Sequence, residues 1–228
     1  MKNNFEAHVK KFLKYLSRND YSDETITGYS KDLNKFYQYL VENYGAQVTV
    51  LDFTKEDILD YQGDLLQKGL AKNSIARHIS TIKSFSKYLF NELDFVNDPG
   101  NKVKTPTYTL LIRVITEEQM QQFLDVAKQY SSFYYTLAAF LYYTGSRITP
   151  VITLINDHVS LEDIKVYFPK IKGVKDFYLP LHDQLVDIAS AYVESNPKTS
   201  TYAFPSPKFL NKHISTSYVR YHLKKYKI

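Results

Sequence analysis

Over residues 5–93 apolar side chains recur at every third or fourth position, in four runs separated by turn residues, and then the pattern stops. Phe5, Val9, Phe12, Leu13 and Leu16 make the first run. Ile26, Tyr29, Leu33, Phe36, Tyr37 and Leu40 make the second, with Gly45 just past its expected end. Thr54 can cap the turn Lys55-Glu56-Asp57 to open a third run, which stops near Gly69. The fourth extends from Lys72 to Leu93 on Ile75, Ile79, Ile82, Phe85 and Leu89. A period of 3.6 residues places each set on one helix face. Residues 1–94 are therefore expected to form a domain of four helices around one core.

After Leu93 the period is lost. Asp94 to Thr109 contains Asn97-Asp98-Pro99-Gly100 and Thr105-Pro106, which is turn chemistry with little periodicity. Residues 95–114 are expected to be a linker, and residues 115–228 a second domain of mixed period. Thr116-Glu117-Glu118-Gln119 is a capping box that opens a helix through Phe123, Leu124 and Ala127. Phe133 to Thr144 is apolar nearly all round, the mark of a buried helix. Pro150 can take the first helical position behind a Thr149 cap, starting a short helix through Leu154. Ile164–Phe168 and Phe177–Leu179 are β-rich and flank Lys170 to Lys175 as a hairpin tip. Helices are expected again over 182–194 and 215–226. The fold class is mainly α: a four-helix domain, then an α+β domain with a small antiparallel hairpin or sheet.

Composition narrows the chemistry. The absence of cysteine excludes disulfides, thiolate metal sites and cysteine nucleophiles, and fits a reducing compartment. The six histidines show no metal-ligand spacing and there is no glycine-rich phosphate loop, so no cofactor is expected. Met1-Lys2-Asn3-Asn4 leads into an amphipathic pattern and not an apolar signal core. The densest apolar run, Phe133 to Tyr143, is too short to span a bilayer. A cytoplasmic protein without a membrane partner is the expectation.

The net charge of +5 is unevenly spread. Lys72 to Lys87 holds four lysines and arginines and no acid, and the residues from Ser195 onward hold seven and no acid. Such tracts suit a polyanion. In the fourth helix, Lys72, Asn73, Arg77, Ser80, Lys83, Ser84 and Lys87 share the face opposite Ile75, Ile79, Ile82 and Leu89. An ordinary solvated face would carry glutamates as well. A basic face of small hydrogen-bonding residues fits duplex DNA, with lysines mainly holding phosphates. Lys102 and Lys104, in the expected linker, are candidates for the same surface.

Several segments in order resemble the tyrosine recombinase (phage integrase) family in its Xer-like form. Phe12 to Leu40 is similar to the family's N-terminal opening, with Thr25, Tyr29, Asp32, Leu33 and Phe36 at matching spacing. Gly69 to Leu89 is similar to the last long helix of its core-binding domain. "YTGSRI", Tyr143 to Ile148, matches the first catalytic box, and "KIKGVKDFYLPL", Lys170 to Leu181, matches the hairpin that carries a catalytic lysine. Tyr202 to Ser206 resembles the segment before the second box. Thr-Gly-x-Arg and a hairpin lysine are each common; their order and spacing together are more specific.

The resemblance implies a SAM-like core-binding domain, a partial recombinase catalytic domain, and a clamp of the two on DNA. It also implies roles for Arg147 on a phosphate and Lys172 as proton donor to the leaving 5′-oxygen, with Lys170 and Lys175 as competitors of Lys172. The partners it implies are double-stranded DNA and other recombinase protomers. Two departures stand out. Pro150 occupies the place of a usual acid three residues after the arginine, and none of His8, His78, His158, His182, His213 and His222 begins a His-x-x-Arg box. With that box and an identifiable nucleophilic tyrosine missing, the expectation is a DNA-binding recombination protein that does not cut DNA by itself. Two other classes stay open from sequence: an active strand-exchange enzyme with a relocated nucleophile near Tyr221 or Tyr226, and a helical protein-interaction module without a DNA role.

Overall fold

The computed structural model describes residues 3–107, 114–169, 175–195 and 200–225. It divides into two units, Met1–Ile112 and Arg113–Ile228.

In the first unit, helices α1 (Phe5–Arg18), α2 (Asp23–Tyr44), α3 (Lys55–Gln67) and α4 (Lys72–Leu93) follow the four apolar runs. Their starts are chemically fixed. The Asn4 side chain accepts from the Ala7 amide, Ser22 accepts from Thr25, and Thr54 with Asp57 closes a reciprocal capping box. Gly69 ends α3 at φ 74°; its amide bonds to the Leu66 carbonyl and the Leu70 amide to Leu65, a Schellman closure. The core is aromatic: Phe5 and Phe12 lie 5.5 and 5.4 Å from Phe85, and Phe36 lies 5.5 Å from Phe53. Ile79 and Ile82 are wholly buried among them, each stabilising the unit by about 1.5–3 kcal/mol.

The stretch after α4 packs more tightly than its turn chemistry predicts. The Phe95 amide bonds to the Leu89 carbonyl, and Val103 is 2% exposed within the first unit's core. Residues 95–103, assigned to the linker by periodicity, are thus joined to the four-helix unit. Their contacts are single side chains and amides rather than a repeating stripe.

The second unit runs α5 (Glu117–Tyr130), α6 (Ser132–Thr144), α7 (Ile148–Ile152), strands β1 (Val159–Ser160), β2 (Lys165–Phe168) and β3 (Phe177–Pro180), then α8 (Asp183–Ser195) and α9 (Thr216–Lys225). The strands form an antiparallel sheet in the order β1-β2-β3, with Val166 opposite Leu179 and Phe168 opposite Phe177. Two expectations need correction. Ile164 is not part of the strand; it turns the chain into β2 at φ 51°, its carbonyl accepting from the Leu181 amide. Helix α7 begins at Ile148 behind Arg147, so Pro150 is its third residue and not its first. Both placements suit proline, because the first-turn amides have no carbonyl partner within the helix.

The core of this unit gathers Leu137 and Phe140 of α6, Val151 and Ile152 of α7, Val166 and Phe168 of β2, and Leu185 of α8. Phe204, 1% exposed, joins it at 5.5 Å from Phe140. The Ala203 amide bonds to the Leu154 carbonyl, which ties residues 202–206 to the end of α7.

Candidate nucleic-acid interface

Arg147 lies in a bend whose two arms are fixed. Gly145 closes α6 in the left-handed region, φ 61° and ψ 11°, with its amide on the Tyr142 carbonyl. The chain turns through Ser146, whose amide bonds to the Thr144 hydroxyl at 3.3 Å, and Arg147 is extended at φ −65° and ψ 156° as the cap of α7. Phe140, on one arm, and Val151 and Ile152, on the other, are buried. Arg147 itself is exposed, and among the described residues none lies within ion-pair or hydrogen-bond distance of its guanidinium. A rigid support with an open five-donor head is the arrangement that binds an oxyanion bidentately.

Lys172 and Lys170 lie outside the described residues. The strands on either side are in place, with Phe168 paired to Phe177, and Lys175, on the β3 side of the connection, is exposed. Lys165, on β2, is engaged otherwise: its ammonium is 3.1 Å from Asp163 and lies over the Tyr178 ring.

In the first unit, α4 carries the seven face residues named from the sequence, but they are not equivalent. Lys72, Asn73, Ser80 and Lys87 are exposed. No acid occupies the first turn of α4, so Lys72 and the open amides present the same sign to solvent. Arg77 instead bonds to Asp32, a carboxylate 2% exposed in α2 that also accepts from Thr81 at 3.1 Å. The Ser84 hydroxyl donates to the Ser80 carbonyl at 2.9 Å. The Lys83 ammonium donates to the Val103 carbonyl. That last bond brings Lys102 and Lys104, both exposed on either side of buried Val103, alongside the basic face of α4.

Three residues build this junction: Asp98 and Gly100, read from the sequence only as turn residues, and Ser86, which sequence reasoning passed over. Ser86, wholly buried on α4, donates to Asp98 and accepts the Gly100 amide at 3.0 Å; Asp98 accepts the same amide at 3.1 Å. A signal was present, since Ser86 falls on the apolar stripe between Ile82 and Leu89, where a hydroxyl needs a partner.

The described residues contain no group of three or more acidic or histidine side chains placed to hold a metal ion, and no helix long and apolar enough to cross a membrane.

Comparison with known proteins gives the class to which the chain belongs. Residues 9–92 match the model of the phage integrase N-terminal SAM-like domain, and residues 113–228 match that of the phage integrase family. The chain belongs to the phage integrase family, the tyrosine recombinases. Tyrosine recombinase XerD of Staphylococcus haemolyticus is 31% identical over 197 residues, covering 83% of this chain and 65% of that protein. The chain thus spans just under two thirds of the length of that relative. Among solved structures, a lambda integrase dimer bound to a COC' core site and a lambda integrase tetramer bound to a Holliday junction each align with TM-score 0.78. Each is 13% identical and covers 97% of this chain and 62% of the integrase, a likeness of fold.

Proposed function

We propose that this chain binds duplex DNA in site-specific recombination, with Arg147 on a backbone phosphate and the α4 face of the first unit on the same duplex. The observation that carries this reading is the open guanidinium of Arg147, exposed and without an ion-pair partner among the described residues, on a bend between two helices anchored by buried Phe140, Val151 and Ile152. Phosphoryl transfer at DNA needs cations on the non-bridging oxygens, which a planar guanidinium binds in pairs, and a proton for the departing 5′-oxygen. Lys172 is the expected proton donor. The relatives' dimer and tetramer on DNA support other protomers as further partners. These 228 residues contain no His-x-x-Arg sequence, which would supply a second arginine, so DNA binding without cleavage is the activity proposed for them.

Fluorescence anisotropy with a labelled duplex tests the binding. Arg147→Ala should weaken binding about tenfold, or ~1.4 kcal/mol, without changing the melting temperature. Arg147→Lys should recover only part, because an ammonium cannot make the paired contact. Failure of the unaltered chain to bind any duplex at low salt would remove this reading and favour a protein-interaction role.

A further inference from the structure

The junction of α4 with residues 98–103 points to a role beyond packing. Gly100 is held by two acceptors, the Ser86 hydroxyl and the Asp98 carboxylate, and Ser86 and Asp98 are bonded to each other. Its backbone lies so close to α4 that an added Cβ would fall 3.0 Å from the Lys83 Cα and 3.1 Å from the Ser86 Cβ. Any side chain here would press α4 and this segment apart by a few tenths of an ångström. Three residues on, Val103 is buried and its carbonyl accepts from Lys83. Alternation across Val103 then turns Lys102 and Lys104 outward, where both are exposed.

We infer that Ser86, Asp98 and Gly100 form a latch that positions Lys102 and Lys104 as part of the α4 nucleic-acid surface. Unlatched, the two lysines would sit on a chain that must lose its freedom on binding, and their phosphate contacts would be offset by that ordering. Latched, they flank Val103, whose carbonyl is bonded to Lys83 of α4, before any DNA arrives. Ser86, Asp98 and Gly100 are positioning residues, since none need touch DNA. The inference rests on the proposed DNA binding.

The test uses the full chain, a labelled duplex and a salt series, because the slope of log affinity against log salt counts phosphate contacts. Lys102→Ala with Lys104→Ala should make the slope shallower by about two contacts. Asp98→Ala discriminates by sign. Loss of a carboxylate beside a DNA surface would tighten binding on charge alone; loss of the latch should weaken it and flatten the slope. Asp98→Asn keeps an acceptor oxygen and should stay closer to the unaltered slope. In the Asp98→Ala background, removing the two lysines should change the slope little further. Circular dichroism melts establish that each variant is folded at the assay temperature, and Gly100→Ala provides an independent break of the same latch.

Tighter binding by Asp98→Ala, an unchanged slope in both Asp98→Ala and Gly100→Ala, or a full additional loss from the lysine pair would each overturn the inference. If the unaltered chain binds no duplex, the binding reading falls first, and the latch's role with it. If it binds and the variants behave as it does, only the latch falls.

Discussion

Arg77 of α4 donates to Asp32 of α2, joining an arginine that the sequence places on a DNA-facing surface to a carboxylate that is 2% exposed. The pair has two consequences for Arg77. Its charge is partly neutralised within the unit, and its removal would leave Asp32, among the described residues, with the Thr81 hydroxyl and the more distant His78 ring. Because the guanidinium is 53% exposed, the full cost of a broken buried pair does not apply. Arg77→Ala should therefore destabilise the first unit by about 2 kcal/mol in urea unfolding. At matched folded fraction it should alter the salt slope of DNA binding less than Lys87→Ala does. Unfolding at the unaltered midpoint, together with lost affinity, would identify Arg77 as a DNA contact instead.

The same carboxylate sets the state of His78. Burial pushes the imidazole below its usual value of 6.5, and outweighs the attraction of Asp32, which acts the other way. A neutral ring satisfies both neighbours: Nε2–H points to Asp32 Oδ1 at 3.4 Å, and Nδ1, 3.2 Å from the Tyr61 oxygen, accepts a hydrogen bond from its hydroxyl. Burial also raises the Tyr61 hydroxyl, which keeps it a donor. Below pH ~6.5 the unfolded chain takes up a proton that the folded chain refuses, so stability falls as pH drops toward the lowered folded value. The slope from this one group is at most about 1.4 kcal/mol per pH unit. Urea midpoints at pH 7.5 and 5.5 should separate more for the unaltered protein than for His78→Gln. Equal separations would show that His78 does not contribute.

These two cases mark what the sequence could convey. Periodicity located all four helices of the first unit because Ile75, Ile79, Ile82 and Phe85 bury one stripe and nothing competes with it. It could not show that Arg77 bonds to Asp32, forty-five positions away, because a helical wheel carries no information about neighbouring helices. Asp32 itself was a signal, as an acid placed next to Leu33 on the buried stripe of α2.

In the second unit the end of α6 was visible in the apolar run that stops at Thr144, just before Gly145 closes the helix. The start of α7 was not, because Thr149 and Pro150 satisfy the usual cap pattern two residues late. The short strand β1 carries too few residues for any alternation to register.

Gly145 gives a clean test of how much that bend depends on backbone alone. A Cβ at this position would meet nothing within 4 Å, so any cost of Gly145→Ala comes from its φ of 61° and not from a clash. About 1 kcal/mol is expected, or a fall in melting temperature of about 3–5 °C for a unit of this size. Relief of the strain would move Ser146 and Arg147, so DNA affinity should fall together with stability. A variant that melts lower but binds as before would show that Arg147 keeps its place without Gly145.

Binding without cleavage predicts that no tyrosine of these residues becomes covalently linked to DNA. Tyr221, 60% exposed on α9, is the described tyrosine that a relocated nucleophile would use; Tyr226 lies outside the described residues. A tyrosine attacking a phosphodiester needs the charge on the phosphate oxygens balanced and its own proton removed. The side chains around Tyr221 in α9 offer Arg220 and Lys224 as cations, but no His-x-x-Arg box lies in these residues. Incubation with a nicked suicide duplex, which traps any 3′-phosphotyrosyl product, should give no covalent adduct on a denaturing gel. An adduct abolished by Tyr221→Phe, but retained by Tyr218→Phe, would establish an active enzyme with a displaced nucleophile. Arg147→Ala should then lower the rate of adduct formation more than the affinity, since a phosphate clamp that acts in the transition state appears in the rate.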